Sequence, residues 1–215
     1  MVCYVTDRST LGPNSGFDRL IGTIRTAVAA GVDWVQLREK DLSAHDLLAL
    51  TTTAISAANE SREAHVASAR VIVNDRLDVA VAAGAAGVHL GRNSVPAADA
   101  VRWCRSGNAP REFLIGASCH SLPEAIEAEA VGASYIIFGP VFDTPSKRSF
   151  GAPHGIARLA EICSAVSIPV LAIGGVDAAN AKECLRAGAS GIAAIRFFQE
   201  ENGAMLAEQI GRIHG

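Results

Sequence analysis

The chain has 215 residues, 49% of them hydrophobic, and its 19 basic and 22 acidic residues give a formal net charge of −3. This length is normal for one α/β barrel, and the balanced charge gives no reason to expect nucleic acid or an anionic membrane as a partner. We find no signal peptide and no 18-residue apolar run, and the five scattered cysteines form no C-x-x-C pair. These features favour a cytoplasmic protein with reduced thiols.

A repeated pattern divides the chain into strand and helix units. Four segments each combine a helix end, a glycine, two linking residues and an apolar strand: residues 29–37, 82–90, 130–138 and 186–194. Their glycines lie 53, 48 and 56 residues apart, about twice the length of one strand with its helix. Intervening strands are therefore predicted, and apolar runs are found at residues 2–6, 70–74, 113–117 and 169–173.

Helical patterns fill the intervals between these strands. They cover residues 17–30, 43–62, 76–83, 96–105, 121–131, 155–166, 177–187 and 200–213. The strands are continuous apolar runs, which is typical of a parallel sheet covered on both faces. Eight alternations predict an α/β protein with a single (β/α)8 TIM barrel domain over residues 1–215, and a doubly wound open sheet is the alternative.

The functional groups of such a barrel follow the carboxyl ends of its strands. The second strand ends at Gln36, Arg38 and Lys40, which alternate along the strand and therefore share a face. We call these three residues the anion clamp, because adjacent cations favour an anion and arginine grips phosphate oxygens in bidentate fashion. The alternative is a set of surface ion pairs with Glu39 and Asp41.

The third strand ends at Asn74 and Asp75. Asp75 has two interpretations that the sequence leaves open. It caps the following helix, which is a common role of aspartate, or it faces the same mouth as Arg38 and Lys40. In the second case a carboxylate and phosphate oxygens together suit a hard cation such as Mg²⁺.

The fifth strand leads into Ser118, Cys119, His120 and Ser121. Ser121 with Glu124 matches a capping box at the start of the next helix. Ser118 is then expected to be free to hydrogen-bond a ligand. His120 is a candidate general acid or base, with a place on the rim of the site as the alternative.

A long connection follows the sixth strand and covers residues 139–155. Loops of this length in compact domains are usually functional, so we expect a closing lid. Thr144, Ser146 and Lys147 supply donors to phosphate within it.

The last two strands end at Gly174-Gly175 and at Ile195-Arg196. The loops after these strands are the usual phosphate site of such barrels. The mouth is thus predicted to have two anion-binding regions, one for a polyphosphate with a cation and one for a monophosphate. An enzyme that joins two phosphorylated substrates is the natural inference, although composition and spacing do not name them.

Five ordered motifs resemble thiamine-phosphate synthases and their TenI-type relatives over nearly the whole chain. They are VQLREKD (35–41), VNDRLDVAVAAGAAGVHLG (73–91), IGASCHS (115–121), FGPVFDTPSK (138–147) and IPVLAIGGV (168–176). The resemblance implies a (β/α)8 barrel that couples hydroxymethylpyrimidine pyrophosphate to hydroxyethylthiazole phosphate. It also implies release of pyrophosphate, with Mg²⁺ as cofactor and these two small molecules as partners.

The resemblance also implies roles for the residues at the strand ends. Those at the pyrimidine pyrophosphate would be Gln36, Arg38, Lys40, Asn74, Ser118 and Lys147, with Asp75 on Mg²⁺. Those at the thiazole phosphate would be Thr144, Ser146 and the backbone of Gly175, Ile195 and Arg196. Catalysis would consist of neutralising the leaving group with Mg²⁺ and the cations Arg38, Lys40 and Lys147, without a protein nucleophile.

This chain departs from the resemblance at two positions. Ser94 stands where the synthases place the second Mg²⁺-binding aspartate, and Asn93 replaces the acid before it. Arg196 stands where the family often has serine. We therefore expect a metal position at Asp75 and Ser94 that binds Mg²⁺ only with the pyrophosphate substrate. Arg92 would supply part of the missing positive charge if its side chain turns inward.

Three other functions stay open from the sequence. A TenI-type thiazole tautomerase would use His120 as its acid or base and would need no metal. A catalytically silent regulator would bind the ligands without turnover, and another phosphate-handling barrel is the last alternative. The retention of Arg38, Lys40, Asn74 and Asp75 favours the synthase over the tautomerase.

Overall fold

The computed structural model describes residues 1–12, 16–60, 69–144, 152–199 and 203–214. Within these ranges the strands are β1 (Val2–Val5), β2 (Trp34–Leu37), β3 (Arg70–Asn74), β4 (Gly87–Leu90), β5 (Leu114–Cys119), β6 (Tyr135–Phe138), β7 (Val170–Ile173) and β8 (Gly191–Ala194). The helices are α1 (Phe17–Ala29), α2 (Ala44–Glu60), α3 (Leu77–Ala82), α4 (Ala97–Trp103), α5 (Leu122–Ala130), α6 (Gly155–Ala165), α7 (Ala181–Arg186) and α8 (Gly203–His214).

The strands form a closed parallel barrel in chain order, because β8 pairs with β1. This closure confirms the predicted TIM barrel and excludes the open sheet. The glycines of the repeated pattern lie just after helix ends with positive φ, for example Gly31 at 95° and Gly132 at 91°. A left-handed residue at this position ends a helix and turns the chain towards the next strand.

The observed elements differ from the predicted ones mainly at their ends. Helix α7 begins at Ala181 and not at residue 177, because Asp177 and Asn180 form a turn of their own. The Asp177 carboxylate accepts from the backbone N–H groups of Ala179 and Asn180, and the Asn180 side chain accepts from the N–H of Asp177. Such side-chain bonds to the backbone compete with helical ones.

Apolar side chains fill the inside of the barrel. Cys3, Val5, Trp34, Tyr135, Ile137, Leu171 and Ala193 form this inner cluster. The alternate strand residues point outwards and pack under the helices, as Val35 and Leu37 do. A filled interior leaves the carboxyl ends of the strands as the open, polar end of the barrel. Among the described helices, none is long and apolar enough to cross a membrane.

Candidate functional site

A chain of side-chain hydrogen bonds crosses the mouth from β2 to β3. The Gln36 Nε2 donates to Asn74 Oδ1 at 2.9 Å, and the Asn74 Nδ2 donates to Asp75 Oδ2 at 2.6 Å. Because a carboxylate only accepts, this direction orients both amides. The Gln36 Oε1 is buried and has no partner among the residues that the structure describes. An unpaired buried acceptor at this position points to a ligand that donates an N–H or O–H.

Asp75 is held in an unusual backbone conformation. It is the one residue other than glycine with positive φ in the described ranges, at 64°. Its N–H donates to the carbonyl of His89 at 2.8 Å, which ties the end of β3 to β4. Backbone strain of this kind is found mostly at functional sites. Asp75 does not cap the following helix, since α3 has Arg76 at its N-cap position without a side-chain cap.

Ser94 lies directly against Asp75. The turn after β4 brings its hydroxyl to Asp75 Oδ1, to which it donates, and the same hydroxyl accepts from the N–H of Gly91 at 2.7 Å. The predicted pairing of these two positions is therefore present. The side chain of Arg92 is exposed, so it does not turn inward as a compensating cation.

The donors at this position fit a divalent cation only in part. The described residues contain no group of three or more His, Cys, Asp or Glu side chains that could hold a metal. Asp75 supplies one charged oxygen ligand and Ser94 a neutral hydroxyl oxygen, whereas the side-chain oxygen of Asn74 accepts from Gln36. Mg²⁺ keeps several waters and is often held by one carboxylate with substrate phosphates, so this set fits Mg²⁺ together with a pyrophosphate.

Among the described residues, the cations of the anion clamp form no ion pairs with Glu39 and Asp41, the acids next to them in the sequence. Arg38 Nη1 lies 3.6 Å from Asp7 Oδ2, and both side chains are about one-quarter exposed, at 29% and 27%. Lys40 is exposed and forms no ion pair within the described part of the chain. It lies between two clefts of ≈ 430 Å³ and ≈ 300 Å³, of which the larger also contains Arg38 and the smaller Asp75.

Glu39 and Asp41 pair instead with Arg8, a residue that the sequence analysis missed. Arg8 donates to Glu39 Oε2 at 3.1 Å and to both oxygens of Asp41. Glu39 is buried and also accepts from the hydroxyl of Thr6 at 2.6 Å. The predicted alternative of surface ion pairs is therefore wrong for Arg38 and Lys40, because the acids turn towards the end of β1. The polar residues after β1 were the signal that could have revealed Arg8.

Replacing Glu39 with alanine is expected to destabilise the fold by about 2–3 kcal/mol. The change leaves Thr6 and the Arg8 backbone without an acceptor, and the cost is below that of a fully buried pair because Arg8 is partly exposed. Urea unfolding measures it. The matched control is Glu161→Ala, which breaks an exposed pair with Arg158 and is expected to change stability by less than about 0.5 kcal/mol. Equal losses in both variants would contradict the bridging role of Glu39.

Ser118 is not free, which corrects the expectation from its sequence position. Its hydroxyl lies 2.8 Å from the Nε2 of His89, because both residues point into the barrel from adjacent strands. The other ring nitrogen of His89 lies 3.3 Å from the hydroxyl of Tyr135. Burial of the His89 ring lowers its pKa to about 4, against a smaller opposing effect of Asp75.

His120 lies on the rim of the mouth at the end of β5. Its Nδ1 donates to the carbonyl of Gly139 at 2.5 Å, so Nε2 is the ring nitrogen outside this contact. Ser121 caps α5 as predicted, and Glu124 reaches back to the N–H of His120. The ring of His154 lies 6.5 Å from that of His120, and burial lowers the pKa of His154.

The second predicted anion region gathers residues from β6, β7 and β8. Gly175 has φ 64°, and a Cβ on it would lie 2.5 Å from the carbonyl oxygen of Asp143. Only glycine fits this close approach. Arg196, which follows Ile195 after β8, donates to the hydroxyl of Thr144 at 3.4 Å.

Two predicted site residues in the long connection, Ser146 and Lys147, lie outside the described residues. In the described part of the mouth, the clamp and Asp75 lie at the carboxyl ends of β2 and β3. Thr144, Gly175 and Arg196 follow β6, β7 and β8 on the opposite side of the barrel. This arrangement can bind two anionic groups at one mouth.

Comparison with known proteins identifies relatives over most of the chain. The family model described as thiamine monophosphate synthase matches residues 2–198. The thiamine-phosphate synthase of Methanoculleus marisnigri is 46% identical over 193 residues, which are 89% of this chain and 84% of the relative. That of Methanocella arvoryzae is also 46% identical, over 80% of this chain and 76% of the relative. The structure of a thiamine phosphate pyrophosphorylase from Pyrococcus furiosus superposes with a TM-score of 0.81 at 33% identity, covering 99% of this chain and 94% of that one.

Proposed function

The chain belongs to the thiamine monophosphate synthase family, and we propose that it is a transferase that couples hydroxymethylpyrimidine pyrophosphate to hydroxyethylthiazole phosphate. The relatives' names imply thiamine phosphate synthesis, and the proposal adds the two substrates and the bond that is formed. The main support for this proposal is the arrangement of the barrel mouth. The anion clamp and Asp75 line one side of it, and Thr144 and Gly175 line the other. Two phosphorylated substrates need such a pair of anion sites.

The reaction balances without a protein nucleophile. The bond between the pyrimidine methylene carbon and the pyrophosphate oxygen breaks, and the thiazole nitrogen forms a new bond to that carbon. The pyrophosphate leaves with the electron pair, and the positive charge ends on the thiazolium nitrogen. The protein therefore has to hold both substrates in line and stabilise the leaving anion.

Gln36 is assigned to the pyrimidine ring in this proposal. Its buried Oε1 has no partner in the described ranges and can only accept a hydrogen bond. A phosphate oxygen is also an acceptor and does not suit it, whereas the amino group of an aminopyrimidine donates. This revises the role expected for Gln36 from the resemblance, because the hydrogen bonds through Asn74 to Asp75 orient its amide.

The leaving pyrophosphate is assigned to Arg38 and Lys40, with Ser118 and Lys147 as further donors. Support comes from the clefts beside Lys40 and from Arg38, whose described counter-ion contact is the long one to Asp7. Both cations can therefore turn to an incoming anion at little cost. The second substrate's phosphate is assigned to Thr144, Ser146 and the backbone of Gly175, Ile195 and Arg196.

Mg²⁺ is proposed at Asp75 and Ser94, with Asn74 nearby. When bound there, the ion neutralises charge on the pyrophosphate. Asp75 orients the hydroxyl of Ser94, which donates to its carboxylate, and Asn74 holds that carboxylate in place by donating to its other oxygen. With a single carboxylate among the described donors, we expect no measurable Mg²⁺ binding by the free protein and clear binding once pyrophosphate is present.

Replacing Ser94 with aspartate is expected to lower the Mg²⁺ concentration that gives half-maximal coupling activity. The change restores a charged ligand, but it also sets two carboxylates side by side, so the variant should unfold at a lower temperature without Mg²⁺ and recover when it is added. Ser94→Asn, of similar size but neutral, is the control. This metal position would be contradicted if Ser94→Asp needed as much Mg²⁺ as Ser94→Asn and if Mg²⁺ left the melting temperatures of both variants unchanged.

The function itself is tested by incubating the protein with both precursors and following thiamine phosphate and pyrophosphate. The second candidate is a tautomerase, favoured by the position of His120 on the rim, where the carbonyl of Gly139 orients its ring. Isomerisation of the thiazole carboxylate phosphate without coupling would replace the synthase with that candidate. Binding of both precursors without any turnover would instead indicate a regulator.

We place the reaction in the cytoplasm, supported by the five unpaired cysteines.

A further inference from the structure

Three polar side chains form a hydrogen-bonded row inside the barrel, from Tyr135 on β6 through His89 on β4 to Ser118 on β5. The Tyr135 hydroxyl lies 3.3 Å from His89 Nδ1, and Ser118 Oγ lies 2.8 Å from His89 Nε2. Tyr135 and His89 are almost completely buried, at 1% and 2% exposure, whereas Ser118 is half-buried at the mouth. The row therefore connects the inner core with the site.

Gly116 makes this row possible. It lies level with His89 on one side and with Tyr135 on the other. A Cβ at this position would be 2.1 Å from Cζ of Tyr135 and 2.5 Å from its hydroxyl oxygen. Because Gly116 has no side chain, the ring of Tyr135 has room to reach His89, two strands away.

The protons of the row have two possible arrangements. Burial keeps the imidazole neutral, so it has one N–H. In the first arrangement Tyr135 donates to Nδ1, and the N–H at Nε2 donates to Ser118. In the second, the N–H at Nδ1 donates to Tyr135, and Ser118 donates its own proton to Nε2.

The burial of Tyr135 decides between them. Within the described residues, the hydroxyl of Tyr135 has no hydrogen-bond partner except His89. The second arrangement leaves its O–H buried without an acceptor, which disfavours that arrangement by roughly tenfold or more. In the first arrangement each buried proton of the row has an acceptor. The proton of Ser118 is then not used within the row.

We propose that Tyr135 and His89 are positioning residues that keep the Ser118 proton directed to the mouth, where Ser118 donates to the pyrophosphate of the proposed reaction. The inference rests on that proposed function for its ligand. The opposite arrangement would present lone pairs of Ser118 to an anion and repel it. The row thus makes Ser118 a donor, although a free hydroxyl can be donor or acceptor.

The proton arrangement is measured directly by nitrogen-15 NMR of the full chain without substrates, which does not depend on any activity. The His89 signals are assigned by their loss in His89→Gln. We expect the proton on Nε2 and an unprotonated, hydrogen-bonded Nδ1. A proton on Nδ1 would overturn the proposal, as would an Nδ1 resonance that stays unchanged in Tyr135→Phe.

Kinetics with both precursors then test the consequence. Ser118→Ala and His89→Leu are each expected to lower kcat by about 10²-fold, as for the loss of one positioned oxyanion donor, and the double variant should lose no more than either single one. His89→Gln should keep most of the activity, because its amide N–H can donate to Ser118. Additive losses, or equal losses in His89→Gln and His89→Leu, would refute a role through Ser118. If wild type does not couple the precursors, the proposed function fails, and the NMR result still decides the proton arrangement.

Discussion

Replacing Arg38 with alanine is expected to lower kcat/KM for the pyrimidine substrate by about 10²–10³-fold, a loss on the order of 2–4 kcal/mol in transition-state stabilisation. Arg38 belongs to the anion clamp, and its one ion-pair contact among the described acids is with the partly exposed Asp7, at 3.6 Å. Its guanidinium is therefore available to the leaving pyrophosphate, whose charge grows as the bond breaks. Steady-state kinetics with the second substrate saturating measures the effect.

Arg158→Ala is the matched control for this prediction. Arg158 is an exposed arginine of α6, paired with Glu161 and distant in sequence from the clamp. It should leave kcat/KM unchanged. A folded Arg38→Ala variant with full activity towards the pyrimidine substrate would show that the clamp does not bind the pyrophosphate.

Asp75→Asn is expected to lower coupling activity by roughly 10²-fold or more, since charge neutralisation by a metal contributes several kcal/mol. Asparagine is the right substitution, because it tolerates the positive φ of 64° at this position better than alanine does. The variant should also lose pyrophosphate-dependent Mg²⁺ binding, measured by calorimetry with inorganic pyrophosphate as the probe. This second readout is independent of turnover.

The control for charge is Asp99→Asn, in which a partly exposed carboxylate of α4 that pairs with Arg102 is neutralised. It should keep both activity and metal binding. If Asp75→Asn binds Mg²⁺ with pyrophosphate as tightly as the control does, Asp75 is not a ligand of the metal.

Much of the fold and of the clamp could be predicted because their signals are local. The glycine after each helix and the apolar strand that follows recur within a few residues, so the sequence by itself determined the eight strand and helix units, while the pairing of β8 with β1 excluded the open sheet. The alternation of Gln36, Arg38 and Lys40 is likewise a local signal and predicted the clamp, but the sequence left open whether Arg38 and Lys40 pair with Glu39 and Asp41. The five motifs determined the family in the same way.

Only the tertiary structure decided which of these groups touch. Arg8 binds Glu39 from 31 residues away, and Ser94 donates to Asp75 from 19 residues away. Neither contact can be predicted from a periodic sequence pattern. The barrel brings these residues together, and the lengths of the intervening helices and loops set their separation in the chain.

The same reason explains the row at Ser118. Its partner His89 is on the neighbouring strand, and Tyr135 reaches that histidine only because Gly116 between them has no side chain. A serine at the end of a strand looks free in the sequence. Whether its hydroxyl donates or accepts is decided by the protons of buried neighbours on two other strands, since a buried donor without an acceptor is too costly to keep.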